Sequence, residues 1–269
     1  MRHIIGSRAI FPAALLCAVS FCAGALEIVA HRGASRLAPE NTRASAQKCV
    51  DLGVDYVEVD IRQSSDGEFY IIHDETVDRT TNGRGEVAKM TSAELDQLDA
   101  GSWFGPEFAG ERLPKLREYL PWIKGKARLF FDFKAGDIEK MVQLVREHGF
   151  EKDCFFWFGD AEILEKFRRL DRGIPLKINA TTPESLDEAV GRWGASLVEC
   201  ELSALTPAFV AACRERGVRV MVYEKVETPD LVRRVFSSPV DLINTDRPEW
   251  FTERRRAGTD TPANAGGGR

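Results

Sequence analysis

Three threonine–proline pairs, Thr182-Pro183, Thr206-Pro207 and Thr228-Pro229, recur at intervals of 24 and 22 residues, and this beat constrains the fold more than any other feature of the chain. A threonine side chain accepts a hydrogen bond from an otherwise unpaired amide of a helix's first turn, and a proline at the first helical position loses nothing by lacking an amide hydrogen. Each pair therefore predicts a helix start. Between them lie short apolar runs, Ser196 to Glu199 and Val218 to Val222, with Ile174 to Ile178 before the first pair and Val240 to Ile243 after the last. Strands and helices alternating at this interval are βα units, which build parallel sheets.

Towards the N-terminus the same reading adds Glu27 to Val29, Val54 to Ile61, Arg128 to Lys134 and Phe155 to Phe158 as strands. Ile28, Val57, Leu129, Phe155, Leu176, Val198, Val220 and Leu242 then lie one in each of eight strands. That count predicts an α/β fold, a (β/α)8 TIM barrel with an insertion after the second strand. A doubly wound nucleotide-binding sheet would need a glycine-rich first turn, and His31-Arg32-Gly33-Ala34-Ser35 is not G-x-G-x-x-G. Asn41 or Thr42 is placed to cap the first helix and Gly53 to end it, while Ser65-Asp66-Gly67 marks a hairpin after the second strand. From about residue 74 to 112 the periodicity weakens and glycines accumulate. A loop of that length in a compact domain is usually functional, and this one starts beside His73, where it is placed to form a wall of the substrate mouth.

The first 25 residues carry Arg2 and Arg8, then an uncharged apolar run, then Ala23-Gly24-Ala25, the order of a secretory signal peptide. An uncleaved anchor is the competing reading, since no charge appears from Ala9 to Leu26, but Pro12, Ser20 and Gly24 weaken it. The expected organisation is a leader over 1–25, the barrel over 26–256 and a small, polar, glycine-rich tail over 257–269 that is expected to be disordered. Export to the periplasm or beyond follows. Cys17 and Cys22 would leave with the leader, and the remaining Cys49, Cys154, Cys200 and Cys213 lack paired spacings, so they are expected as buried apolar side chains rather than bridges or zinc ligands. The net charge of -5 offers no basic field for nucleic acid.

The chemistry gathers between His31 and His73. Alternation along Val54 to Ile61 puts Tyr56, Glu58, Asp60 and Arg62 on one face and Val57, Val59 and Ile61 on the other; Asp132 and Lys134 share a face of a later strand. In a barrel of this kind the site lies at the C-terminal ends of the strands, where His31, Glu58, Asp60, Asp132 and Lys134 all fall. Three carboxylates make an all-oxygen nest for a hard divalent cation, calcium or magnesium rather than zinc. His31 and His73 are placed to serve as base and acid, and Arg32 and Lys134 bring the positive charge that stabilises a phosphoryl transition state. Lys177 and Glu199, near strand ends, read equally as substrate contacts or as an internal salt bridge.

With these residues in view the chain resembles the glycerophosphodiester phosphodiesterases. The resemblance is carried by His31-Arg32-Gly33, Pro39-Glu40-Asn41-Thr42, Glu58-Val59-Asp60, His73-Asp74, Asp78-Arg79-Thr80-Thr81-Asn82-Gly83, Leu98-Asp99-Ala100-Gly101, Leu113-Pro114-Lys115-Leu116 and Thr245-Asp246-Arg247-Pro248. It implies His31 and His73 as the acid/base pair, Glu58 and Asp60 as metal ligands and Arg32 as a phosphate contact, with Glu40 and Asn41 in support. Asp132 stands where the family usually carries glutamate. The implied reaction is hydrolysis of a small-molecule glycerophosphodiester to a glycerol phosphate and an alcohol, directly by water or through a cyclic phosphate. Two other functions keep the same architecture. One is a phospholipase D-like enzyme acting on lysolipids or sphingolipids, with Trp103, Phe104, Phe108 and Trp157 as an apolar rim in transient contact with a membrane surface. The other is an idle glycerophosphodiester-binding protein, which would need neither histidine.

Overall fold

The computed structural model describes residues 25–259. The leader expected over 1–25 therefore lies outside the described residues except for Ala25, and so does the expected tail except for residues 257–259, which continue the last helix. The elements run β1 (Glu27–Ala30), α1 (Arg43–Leu52), β2 (Tyr56–Gln63), β3 (Phe69–Ile71), α2 (Ser92–Leu95), α3 (Leu116–Ile123) and β4 (Arg128–Phe133). They continue as α4 (Ile138–Glu147), β5 (Cys154–Phe158), α5 (Ala161–Leu170), β6 (Lys177–Asn179), α6 (Pro183–Gly191) and β7 (Leu197–Cys200). The chain closes with α7 (Pro207–Glu215), β8 (Arg219–Tyr223), α8 (Pro229–Phe236), β9 (Leu242–Thr245) and α9 (Pro248–Thr259).

Among the described residues eight parallel strands follow the order β5-β4-β2-β1-β9-β8-β7-β6, with β3 antiparallel on the edge of β2. Pairing of β1 with β9 joins the first strand to the last. At the seam between β5 and β6 the backbones are joined just before β6, by a bridge from Phe156 to Leu176 and a bond from the Phe156 amide to the Pro175 carbonyl at 3.0 Å. The result is a nearly closed (β/α)8 barrel. Here the strand expected over Ile174 to Ile178 begins instead at Lys177, because Pro175 has no amide to give to a ladder. The last three strands run one or two residues beyond their expected ends, to Cys200, Tyr223 and Thr245. Helix α2 stops at Leu95, and the next residue, Asp96, accepts from the Tyr70 hydroxyl at 2.7 Å and from Lys115 Nζ at 2.5 Å.

Period-two alternation sorts the strand residues into two cores. Val29, Tyr56, Phe130, Phe155, Leu197, Met221 and Leu242, one from each of seven strands, fill the barrel interior as a buried floor. Below it Glu27 accepts from Arg128 at 2.7 Å and from Arg219, and the Arg128 guanidinium lies 4.0 Å from the Tyr56 ring centroid. Outward-facing Ile28, Val57, Val59, Ile61, Leu129 and Phe131 meet the helices. The aromatic run of β5 divides the same way: Phe155 turns inward, while Phe156 and Phe158 pack at a tilt against Phe167 of α5, with ring centroids 5.0 and 4.9 Å away. The insertion carries its own small core, with Val77, Val87, Leu95 and Ala100 packed on Tyr70 and Ile72. Cys49, Cys154, Cys200 and Cys213 are buried and unbridged, as their spacing suggested. No helix among the described residues is long and apolar enough to cross a membrane.

The helix starts follow the sequence closely. Thr42 caps α1 in a reciprocal box with Ser45, Gly53 ends it in the left-handed conformation, and Asp137 caps α4. Thr182 and Thr206 accept from amides three residues on, each at 3.2 Å, whereas Thr228 makes no such bond. Thr182→Ala is accordingly expected to cost about 1 kcal/mol and Thr228→Ala less than about 0.5 kcal/mol, measured by urea denaturation of both variants beside the parent.

Candidate active site

The site is built by register. Parallel pairing sets Asp60 of β2 opposite Asp132 of β4, with Glu58 one inward step below on β2. All three are buried, and each offers an oxygen within 4.8 Å of the others. The backbone of His31 continues β1 through its amide bond to the Thr245 carbonyl at 2.9 Å, and His73 follows β3, its carbonyl held by Arg62 Nε at 2.9 Å.

Cations and amides compensate this buried charge. Lys134 Nζ lies 2.5 Å from Asp132 Oδ2 and 3.1 Å from Asp60 Oδ1. Asn41 Nδ2 donates to Asp60 Oδ2 at 2.7 Å, the Asp60 amide returns a bond to Asn41 Oδ1 at 3.2 Å, and Asn244 Nδ2 donates to Glu58 Oε2 at 2.8 Å. Arg32 Nε sits 3.8 Å from Asp60 Oδ2, and its Nη1 donates to Glu40 Oε1 at 3.1 Å. The loop that carries Arg32 is strained: Arg32 and Asn41 have φ of 57° and 58°, left-handed values costly for a residue with a side chain. Gly33, between strand and loop, has φ of 80° and no room for a Cβ, which would lie 2.4 Å from Ser45 Oγ. The His31-Arg32-Gly33 run is thus a backbone requirement as well as a chemical one.

Each histidine gives its Nδ1 to an aspartate: His31 to Asp246 at 2.6 Å and His73 to Asp74 at 2.8 Å. The Nε2 atom of His31 faces Glu58 Oε1 at 3.9 Å. Burial opposes a charge on His31, but Glu58 and the Asp246 bond outweigh it and lift its pKa to about 9. Burial likewise lifts Glu58, helped by Asp60 and Asp132 against the pull of His31, to about 7. Asp132 is raised by burial and by Asp60, while Lys134 leads the cations and donors that keep Asp60 low in spite of its burial. The cluster therefore holds on to protons that a metal ion would displace.

The donor set fits a hard divalent cation. Three carboxylates converge, and the buried Asp132 Oδ1 and Asn244 Oδ1 have no hydrogen-bond partner, oxygen lone pairs that such an ion would satisfy. Beside them His31, Arg32, Glu40, Trp103, Phe104 and Tyr223 line an open cleft of about 560 Å³. The insertion supplies one wall through Trp103 and Phe104. Buried Arg32 Nε has no hydrogen-bond partner and is a donor suited to an anionic oxygen.

His31, Arg32, Lys134 and Asn41 meet the three carboxylates directly, while Glu40 joins them through Arg32 and His73 is linked to Glu40 through Asp74 and Arg79. Of the expected aromatic rim, Trp103 and Phe104 line the cleft, Phe108 packs edge-on to Phe104, and Trp157 lines a separate pocket. Lys177 and Glu199 form the internal ion pair, at 3.1 Å, with Lys177 also bonded to Asn179 at 3.0 Å. Sequence reasoning gave Asp74 and Asp246 no role beyond their place in the matched runs, and missed Tyr223 and Asn244. Strand parity held the signal for three of them: Asn244 and Asp246 follow inward Leu242 at steps of two, and Tyr223 follows inward Met221.

Comparison with known proteins agrees with this geometry. The glycerophosphoryl diester phosphodiesterase family model matches residues 31–250. The glycerophosphodiester phosphodiesterase of Caldanaerobacter subterraneus is 33% identical over 242 residues, which cover 86% of this chain and 98% of that one. Among solved structures, a glycerophosphodiester phosphodiesterase from Agrobacterium tumefaciens is 38% identical with a TM-score of 0.81, covering 85% of this chain and 99% of that one. A phosphodiesterase from Oleispira antarctica, solved with the product sn-glycerol-3-phosphate, is 27% identical with a TM-score of 0.76, covering 86% and 96%.

Because Glu58 holds its proton up to about pH 7, a divalent cation bound by this carboxylate would have to displace that proton as pH falls, and calcium and magnesium serve as the probes. Titration calorimetry between pH 6 and 8 is expected to show affinity weakening on acidification, approaching tenfold per unit below about pH 7, with proton release on binding. A pH-independent affinity would remove Glu58 from the ligand set.

Proposed function

The chain belongs to the glycerophosphoryl diester phosphodiesterase family, and on that premise we propose that it hydrolyses a glycerophosphodiester to a glycerol phosphate and an alcohol, with His31 and His73 exchanging the protons. The observation that carries this is the matched pair of aspartate-held histidines, one of them directly beside a buried carboxylate nest. An ionised carboxylate only accepts, so each aspartate takes the Nδ1 hydrogen and leaves Nε2 for the reaction. Arg32 and Lys134 bind the non-bridging phosphate oxygens and favour the charge that builds there. Glu58, Asp60 and Asp132 would hold a divalent cation, calcium or magnesium, which when bound supplies further positive charge to the phosphoryl group.

The protons balance in two transfers. One histidine takes a proton from the attacking hydroxyl, either water or the substrate's neighbouring glycerol hydroxyl, in which case water then opens a cyclic phosphate. The other gives a proton to the departing alkoxide. His31, whose pKa is drawn up to about 9 by Glu58 and Asp246 against its burial, holds its proton at neutral pH and suits the acid's task; His73 is then the base.

A second reading keeps the chemistry and changes the substrate to a lysolipid. It is favoured by Trp103, which is 41% exposed at the cleft and stands edge-on to Phe104. That would bring a membrane surface into transient contact with the mouth. Export, carried by the leader expected over residues 1–25, completes the proposal.

His31→Ala and His73→Ala are each expected to lower kcat on glycerophosphocholine by at least about a hundredfold. A p-nitrophenyl ester of glycerol phosphate leaves without protonation, so it should recover most of the His31→Ala loss and none of the His73→Ala loss. Equal recovery in both variants would reverse or dissolve the assignment. A chelator is expected to abolish activity and added calcium or magnesium to restore it, and release rates on glycerophosphocholine against lysophosphatidylcholine decide between the two substrates.

A further inference from the structure

The run Asp78-Arg79-Thr80-Thr81-Asn82-Gly83 opens the insertion, and several of its side chains serve the loop itself. Asp78 Oδ1 accepts from the Gly85 amide at 2.9 Å, Thr81 Oγ1 donates to the Val77 carbonyl at 2.7 Å, and Asn82 Oδ1 accepts from the Asp99 amide at 2.9 Å. A Cβ on Gly83 would fall 2.6 Å from Leu98 Cδ2, so the loop closes on its own core there. Arg79 instead reaches two carboxylates on different segments. Its Nε and Nη2 donate to Asp74 at 2.6 and 3.0 Å, and its Nη1 and Nη2 donate to Glu40 at 2.8 Å each. Both carboxylates have a further partner: Asp74 Oδ1 takes Nδ1 of His73 at 2.8 Å, and Glu40 Oε1 takes Nη1 of Arg32 at 3.1 Å.

We propose that Arg79 is a positioning residue for the hydrolysis, fixing the imidazole of His73 through Asp74 and the guanidinium of Arg32 through Glu40. One side chain of the insertion thereby sets a proton-transfer group and a phosphate-binding group together. The proposal rests on the hydrolytic function given above. Its physical basis is rotation. The terminal torsion of an aspartate or glutamate is broad, so a carboxylate held by one partner swings; two donors from a planar guanidinium stop it. Lysine keeps the charge but is a single point and cannot fork onto two carboxylates. Arg79 is 44% exposed, so its charge alone contributes little and its geometry is what matters. Small displacements of positioned groups are costly, with about 1 Å able to cost on the order of a hundredfold in rate.

The test measures Arg79→Lys, Asp74→Asn and Glu40→Gln and the two double variants that contain Arg79→Lys, all in the full chain on glycerophosphocholine. Asp74→Asn is expected to lower kcat on the order of tenfold with KM nearly unchanged, Glu40→Gln to raise KM on the order of tenfold with a smaller fall in kcat, since Arg32 also meets the charge that builds on the phosphate, and Arg79→Lys to combine both losses. Each double variant should lose no more than about twofold beyond the worse single in the parameter its partner controls, because one chain of contacts is broken only once. Additive losses, or an Arg79→Lys enzyme with parental kcat and KM, would overturn the proposal. A substrate-free readout is the ¹⁵N spectrum of the His73 ring, assigned by its loss in His73→Gln. It should report the Nδ1–H tautomer in the parent and a tautomer mixture in Arg79→Lys, and an unchanged ring spectrum would also overturn the proposal. A parent inactive on every glycerophosphodiester would refute the hydrolytic function, and the His73 spectrum would still decide whether Arg79 positions that ring.

Discussion

Parallel pairing of β2 with β4 sets the carboxylates of Asp60 and Asp132 side by side in the dry end of a barrel, with Glu58 one step below. Like charges stripped of water repel strongly, and such a cluster persists only where other groups compensate for it. Most of the surrounding architecture is that compensation. Lys134 returns from the end of β4 to lie between two of the acids, Asn41 clamps Asp60 from both sides, and Asn244 crosses from β9 to hold Glu58. The left-handed backbone at Arg32 and Asn41, and the glycine between strand and loop, are what that crowding asks of the chain.

The same accounting explains which parts of the protein were legible from residues alone. Helix starts announce themselves locally, so Thr42 and the threonine–proline pairs named their helices without help from distant contacts. Glu58 and Asp60 were visible because they interrupt an aliphatic alternation. Asn244 and Asp246 obey the same alternation but stand past the end of the expected apolar run at Ile243, so a pattern of aliphatic residues gives no sign that they face the site. Pro175 was read as part of a strand, although a residue without an amide hydrogen cannot extend a ladder, and the seam between β5 and β6 is thin for that reason. Contacts that join separate segments were beyond reach. Nothing in the neighbourhood of Glu40 announces that Arg79 and Arg32 both lie on it; that follows from how an irregular loop folds back over the strand ends.

The insertion joins two tasks. Its own apolar cluster on Tyr70 and Ile72 makes it a folded annex rather than a slack connection. Asp99 accepts from the amides of Gly101, Ser102 and Gly110 and so shapes the segment that presents Trp103 and Phe104 to the cleft. A wall with this much internal bonding is set before any ligand arrives, which lowers the ordering cost of binding.

The interior floor of the barrel, seven side chains from seven strands sealed beneath by Glu27, Arg128 and Arg219, turns the site into a blind alley. Substrate, water and both fragments of a cleaved diester share one doorway. Neither fragment can drain away behind the reaction, so both depart past the same aromatic and cationic lining. In such a vessel the slower departure sets a ceiling on turnover, however fast the bond breaks.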